Sequence, residues 1–416
     1  MIVLITNTTL ASNGGTQTVV AEIARLLRQR GHQVMLYSSK LGHVADLLIE
    51  DKFAVVSNLR DLPFKPDIIH GQHHLETMSA LMALPETPCV YYIHGVTPWQ
   101  ERVPIHPRIL GYINLSEIST FRCSVQKCIP LERFYSLGNH INFGLFPTPK
   151  TPPTRLGTAA YCPRIAATPA TLENVERLCR EHGIELHHET EWSRGSIADP
   201  LAVYQGYDLI FGTGRTALEA LAVGCVVSST DQEKLGPLIT PANIAERRTV
   251  NFTMALWEEQ TPYTTLSAQL AAYDPAAQQE VYHYIRREAD FEKAADDLVQ
   301  IYEKIIAEWK TMERPSFVDD MTAASDYLRA LTPLFADHER VEKMRQAHER
   351  IQRRNEVLEA RVADLKQKHQ TALEVPPKPI QKIIELLRRF AATHPIRRVF
   401  IGKLLRRIEE LLQTPP

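Results

Sequence analysis

The chain predicts an α/β protein in which two doubly wound domains are followed by a long helix and a basic helical tail. Three observations carry this reading. Across the first 310 residues, short apolar runs alternate with helical stretches closed by glycine. A Pro- and Thr-rich segment from Pro147 to Pro153 divides that stretch near its middle, with the composition of an exposed hinge. Beyond residue 311 the strand signals stop and apolar residues recur at helical spacing only.

Composition bounds the function. With 416 residues, 44% of them apolar and 23% charged, the chain is globular and long enough for two or three domains. A net charge of −2 gives no global field for nucleic acid, so no nucleic-acid partner is expected. Six scattered cysteines with no C-x-x-C pair fit free thiols in a reducing compartment. The apolar residues 2 to 5 stop at the polar Thr6-Asn-Thr-Thr run, and no apolar run reaches the ~18 residues of a transmembrane helix. The expected location is cytoplasmic, with membrane contact only at a surface.

The first domain is expected over residues 1–147. Ile2 to Thr6 reads as a buried strand, Asn13-Gly14-Gly15-Thr16 as a loop, and Val19 to Arg30 as an amphipathic helix capped by Gly31. Gln33 to Ser38 is the next strand. Asp67 to His70 and Val90 to His94 are strands ending in histidine, and Tyr112 to Ser116 is another. Such alternation favours a Rossmann-like parallel sheet with ligands at the strand C-termini. Gly14-Gly15 falls short of the G-x-G-x-x-G dinucleotide fingerprint, so an NAD site is not supported.

The second domain is expected over residues 155–311. Thr158 to Cys162 is a strand, Leu172 to His182 a helix closed by Gly183, Ile184 to His188 a strand and Asp199 to Gln205 a short helix. Next comes the most informative stretch: an apolar strand (Asp208 to Phe211), a turn (Gly212, Thr213, Gly214), and a helix carrying Arg215, Thr216 and Glu219. Gly224 ends that helix, and Cys225 begins a further strand. A glycine loop feeding a helix N-terminus suits phosphate, because free N–H groups and the helix dipole point at the anion. Glu219, one turn inside, has a reach suited to ribose hydroxyls. The same residues also read as a βαβ turn in which glycine only permits close packing. Ala276 to Trp309 gives two helical stretches placed to pack back across both domains.

In this order of parts the chain resembles the GT-B glycosyltransferases, family 4 in particular. Gly14-Gly15 resembles the acceptor-side glycine loop of that family, His94-Gly95 its strand-end histidine near the reacting sugar, and Ser116-Glu117 its serine after a strand. Asn139-His-Ile-Asn142 through Phe146 resembles the N-G-V-D-x-x-x-F element that leaves the first domain, with His140 for glycine and Asn142 for aspartate. Two departures stand out. Glu219 matches the second glutamate of the family's E-x-x-x-x-x-x-x-E segment, while the first falls on Phe211. Arg164 matches the neighbourhood of the donor-diphosphate arginine, and the lysine expected soon after it is absent; Arg215 supplies a guanidinium in its place.

The resemblance implies a hexosyltransferase that moves sugar from a nucleoside-diphosphate sugar to a glycan, lipid-linked or other acceptor, with retention. It implies neither an enzyme-bound metal nor a cofactor beyond the donor. His94 and Glu219 are then the candidate catalytic residues. Arg164 and the Gly212–Thr216 turn, with Glu219, hold the donor nucleotide and diphosphate. Gly14, Gly15 and His94 shape the acceptor and sugar side. His70, His73 and His74 form an HxxHH cluster that lacks a carboxylate at a known zinc spacing, and read better as a strand-end loop. A nucleotide-sugar epimerase of the same architecture and a non-catalytic GT-B scaffold are the alternatives.

The tail carries two further expectations. Val341, Met344, His348, Ile351, Asn355, Leu358, Val362, Leu365, His369 and Ala372 step by three and four, the seam of a coiled coil over 335–374. His348, Asn355 and His369 weaken that seam, and Asn355 favours a parallel homodimer in register; a single solvated helix is the other reading. Residues 376–416 hold Ile380, Ile383, Leu387, Phe390, Val399 and Leu404 at helical spacing among many lysines and arginines, split by Pro395. Such a segment lies on an anionic bilayer, here as peripheral contact with the inner face of the membrane, or packs on protein.

Overall fold

β-Branched and aromatic residues recur through the first sheet, whose central strands are buried on both faces. The computed structural model describes residues 1–12, 14–95, 99–146, 149–162, 168–188, 200–254, 258–374, 378–393 and 398–413. In chain order come β1 (Ile2–Thr6), β2 (Thr9–Leu10), α1 (Gly15–Gln29), β3 (Gln33–Tyr37), β4 (Lys40–Leu41), α2 (His43–Glu50) and β5 (Ala54–Val56). Then follow β6 (Ile68–Gln72), α3 (His74–Ala83), β7 (Cys89–Ile93), β8 (Ile109–Asn114), α4 (Glu117–Lys127) and β9 (Phe134–Ser136). Seven of these strands pair in the order β5-β3-β1-β6-β7-β8-β9, all parallel, and β2 pairs with β4.

Three local readings change. The strand expected at Tyr112 to Ser116 is β8, Ile109–Asn114, and Ser116 instead caps α4, its hydroxyl oxygen accepting from the Ile118 N–H. Helix α1 begins at Gly15 rather than Val19, because the Gly14 carbonyl already accepts from the Thr18 N–H at 2.9 Å. The expected loop therefore shrinks, and Gly15 and Thr16 lie in the first turn. Strand β6 runs on to Gln72, so His70 sits inside the strand rather than at its end. Gly71 allows this: a Cβ there would lie 2.5 Å from Thr77 Cγ2 on α3, so strand and helix approach closely only with glycine.

The second sheet is built from β10 (Thr158–Tyr161), α5 (Pro169–Glu181), β11 (Glu185–His188), α6 (Pro200–Gly206), β12 (Leu209–Gly212), α7 (Gly214–Val223), β13 (Val226–Thr230) and β14 (Leu235–Leu238). Its order is β11-β10-β12-β13-β14, parallel except for the antiparallel edge strand β14. The sequence reading did not include that edge, since Leu235-Gly-Pro-Leu238 has neither alternation nor β-branched residues. Gly224 ends α7 at φ +102°, the left-handed cap that glycine adopts without strain.

Helices α8 (Ile244–Thr249), α9 (Tyr263–Ala271), α10 (Pro275–Glu288) and α11 (Phe291–Thr311) complete this part of the chain. The two expected terminal helices divide their labour. Helix α10 packs on α7, while α11 returns to the first sheet, where Leu298, Tyr302 and Ile305 join Val3, Ile5 and Tyr92 in one core. The crossing is tied by Ile141, whose N–H donates to Ala289 O at 2.9 Å.

The chain divides into two compact units, Met1–Arg329 and Ala330–Pro416. Helix α12 (Phe317–Glu374) holds the expected heptads but starts well before them and carries Pro333 in its interior. Its first turns belong to the first unit. The buried Arg108 guanidinium donates to Asp320 at 3.1 Å and to the carbonyls of Leu81, Leu84 and Thr87, and His74 Nδ1 lies 2.6 Å from the Tyr327 hydroxyl. In the second unit Val341, Met344, Ile351, Leu358, Val362 and Leu365 are all exposed. Helices α13 (Lys378–Thr393) and α14 (Arg398–Gln413) pack on each other, joined by Arg388 and Glu409 at 2.7 Å. Among the described residues, no helix is long and apolar enough to cross a membrane.

Candidate active site

The turn between β12 and α7 forms because its glycines meet two separate demands. Gly214 opens the helix at φ +59°, a backbone region that favours glycine. A Cβ on Gly212 would sit 3.0 Å from Thr216 Cγ2, tighter than ordinary contact. Thr213, the residue before the helix, turns its hydroxyl away to donate to Phe252 O at 2.9 Å and gives the helix no side-chain cap. The other glycine loop is alike in this respect, since Gly14 cannot cap α1 with a side chain. Neither helix thus receives a side-chain cap from the residue that precedes it.

Arg215 ties the turn to the first sheet's helix. Its Nη2 donates to both oxygens of Glu22 on α1, at 3.0 and 3.1 Å, and its Nε donates to Glu219 Oε1 at 2.6 Å. The second Glu219 oxygen accepts from the Tyr204 hydroxyl at 2.9 Å. Burial raises the Glu22 carboxyl pKa above its usual range, against the pull of Arg215. Burial also opposes the charge on Arg215, yet Glu22 and Glu219 together hold its pKa above the ordinary value. The result is a guanidinium of α7 fixed between Glu219 of its own helix and Glu22, two turns into α1.

Across from this network, Tyr92 carries the contact on toward His94. Glu22, Tyr92, Asn139, His140 and Arg215 line one cavity of about 20 Å³. The rings of Tyr92 and His94 lie 4.8 Å apart, and His94 Nε2 is 2.7 Å from Gln72 Oε1. The junction element reaches the same place. Asn139 donates to Asn251 Oδ1 at 2.8 Å, beside Gly214, and its carbonyl accepts from Arg248. Burial first, and Arg248 second, push the His140 pKa down to about 3.

The structure therefore gathers Gly212, Thr213, Gly214, Arg215, Thr216 and Glu219 on one strand-turn-helix, and sets Glu22 of α1 against it. His94 follows β7, Gly14 precedes α1 and Gly15 opens it. Arg164 lies outside the described residues. Phe211, where the family's first glutamate falls, is fully buried in a core with Tyr161, Leu178 and Leu266. His70 is buried in mid-strand, and His73 Nε2 lies 3.4 Å from Glu101 Oε1. Among the described residues no three metal-ligating side chains converge. Glu22 and Gln72 were absent from the sequence reading. Glu22 carried a usable signal, a carboxylate set among Val19, Val20, Ile23 and Ala24 on the apolar face of α1.

Residues 13–129 match the sequence model of Glycosyltransferase Family 4. No curated protein matches the sequence. Among solved structures, a glycosyltransferase from Rickettsia africae ESF-5 aligns with a TM-score of 0.54 at 14% identity, over 73% of this chain and 98% of that one. Anabaena HepE, solved with UDP and glucose, aligns with a TM-score of 0.50 at 12% identity, over 72% and 99%. The two sheets, the returning helix and the glycine turn of α7 are thus the parts of a GT-B fold, within which residues 13–129 are similar to Glycosyltransferase Family 4.

Proposed function

We propose that the chain is a hexosyltransferase that moves sugar from a nucleoside-diphosphate sugar to a glycan or lipid-linked acceptor, with retention and without an enzyme-bound metal. One observation carries the reading: the Arg215–Glu22 pair holds the glycine turn of the second sheet against the helix that follows the glycine loop of the first. A donor diphosphate placed there meets the N–H groups of the turn and the positive end of α7. As the sugar leaves, charge builds on that diphosphate, and pre-aligned N–H donors are the largest contribution the protein makes. Glu219 keeps lone pairs beyond its two bonds for ribose hydroxyls. His94 lies on the acceptor side with Gly14 and Gly15. HepE, of similar fold, was solved with UDP and glucose, which makes UDP the first nucleotide to test.

Work on a lipid-linked acceptor at the inner face of a membrane agrees with the basic tail, and the exposed α12 seam with a homodimer. Two observations favour a second reading, a non-catalytic GT-B scaffold: Arg215 is already paired with two carboxylates, and Phe211 fills the place of the first glutamate. Thermal unfolding against a panel of nucleoside diphosphates, with and without chelator, separates the two. The enzyme gains about 2.7 kcal/mol at a hundredfold excess over Kd, unchanged by chelator. A flat panel supports the scaffold, and a shift abolished by chelator refutes metal independence.

A further inference from the structure

We propose that Gln72, His70 and Tyr302 are positioning residues that hold His94 in a single tautomer, with its proton on Nε2. The proposal rests on the reading of His94 as the acceptor-side group. Gln72 closes β6 and pairs in register with Tyr92 of β7, the strand that His94 follows. Its amide Oε1 lies 2.7 Å from His94 Nε2, so that nitrogen donates. The same amide donates through Nε2 to His70 Nε2 at 2.9 Å, which makes that nitrogen an acceptor. The His70 proton then lies on Nδ1, 2.5 Å from the Tyr302 hydroxyl of α11.

The strand explains the alignment. Residues two apart on a strand share one face, so His70 and Gln72 stand side by side, and α11 packs onto that face. Gln72, His70 and Tyr302 are all fully buried, and the Gln72 backbone is pinned by both its N–H and C=O to Thr6 Oγ1, at 3.0 and 3.1 Å. His70 transmits orientation rather than charge, because burial, helped by His94, pushes its pKa down to about 3. A neutral imidazole has one donor and one acceptor nitrogen, and a bond to one decides what the other does. With Nε2 committed to Gln72 as a donor, the lone pair of the neutral His94 ring lies on Nδ1.

Two-bond ¹H–¹⁵N NMR of ¹⁵N-histidine-labelled full-length protein reads both tautomers directly. The parent shows His94 protonated on Nε2 and His70 on Nδ1. In Q72L the His94 ratio shifts toward Nδ1–H by about five- to tenfold, the equivalent of one net hydrogen bond. Y302F, which deletes a single hydroxyl, moves the His70 ratio and, by less, that of His94; it decides the matter if Q72L does not fold. His94 protonated on Nδ1 in the parent, or unchanged in folded Q72L, overturns the proposal, and an unchanged His94 in Y302F overturns it for His70 and Tyr302. This readout needs no turnover. A protein that binds no nucleotide yet shows these tautomers refutes the transferase reading alone.

Discussion

Glu219 already serves two neighbours, Arg215 and Tyr204, and this changes how it is tested. Alanine would strip a partner from a guanidinium set between two carboxylates, mixing stability with binding. Glu219→Gln keeps the shape while removing the charge, and Glu22 still holds Arg215. Losing a charge-assisted bond to ribose costs about 1.5–3 kcal/mol, so UDP affinity by calorimetry should fall at least tenfold. Equal affinity in parent and variant rejects the ribose assignment. Glu22 makes a separate prediction. Its folded pKa is raised above 4.5, so the native state holds the proton longer than the unfolded one as pH rises past that value. Bound protons then favour the native state, so the Glu22 contribution to stability is lost across that window. In urea titrations run from pH 4.5 upward, Glu22→Gln should therefore gain stability relative to the parent as pH rises; a difference that does not change with pH rejects Glu22 as a titrating group there. Neither pairing was legible in the sequence. The glycines announced themselves through local backbone needs, whereas the partner of Arg215 lies 193 residues away and is chosen by tertiary packing.

Elements were legible where periodicity was strong. The buried strands of both sheets, helices α1, α5, α6, α7, α10 and α11 and the Gly224 cap followed from local pattern. Readings slipped where the pattern was silent: β14 contains glycine and proline, and α1 starts inside what looked like a loop. The start of α12 was missed for another reason. Phe317 to Leu328 has no strict seam, and its docking depends on the buried Arg108, whose need for Asp320 no local pattern records. Further along α12, the apolar stripe stands in solvent, with Leu358 49% and Leu365 58% exposed. Exposed leucines at heptad spacing are what a partner helix covers. Leu358→Asp with Leu365→Asp should convert a dimer to monomer, since both charges would be buried against their symmetry mates. Light scattering checks this, and a parent that is monomeric at micromolar concentration refutes the seam.

Scale adds two consequences. In the first unit, His70, His74, His106 and His140 have pKa values pushed down to about 3 or 4, burial being the first cause each time. Below pH 6.5 the unfolded chain binds protons that these buried rings refuse, so stability falls as pH drops toward 4, by about 1.4 kcal/mol per unit for each ring. Urea midpoints at pH 7, 6 and 5 should fall steadily, and His106→Asn should lessen the slope; equal slopes exclude His106. At the other end of the chain, α13 and α14 carry Lys382, Arg388, Arg389, Lys403, Arg406 and Arg407 beside exposed Ile383, Leu386, Phe390 and Leu404. Apolar residues beside clustered cations match an anionic bilayer surface, where each basic residue adds about 1 kcal/mol, screened by salt. Two tails on one dimer would bind together, so avidity turns weak single contacts into stable attachment. The full chain should therefore pellet with anionic liposomes, less so at high salt, while a chain ending at Leu373 stays in solution. If the two pellet equally, or neither pellets, the tail binds protein rather than lipid.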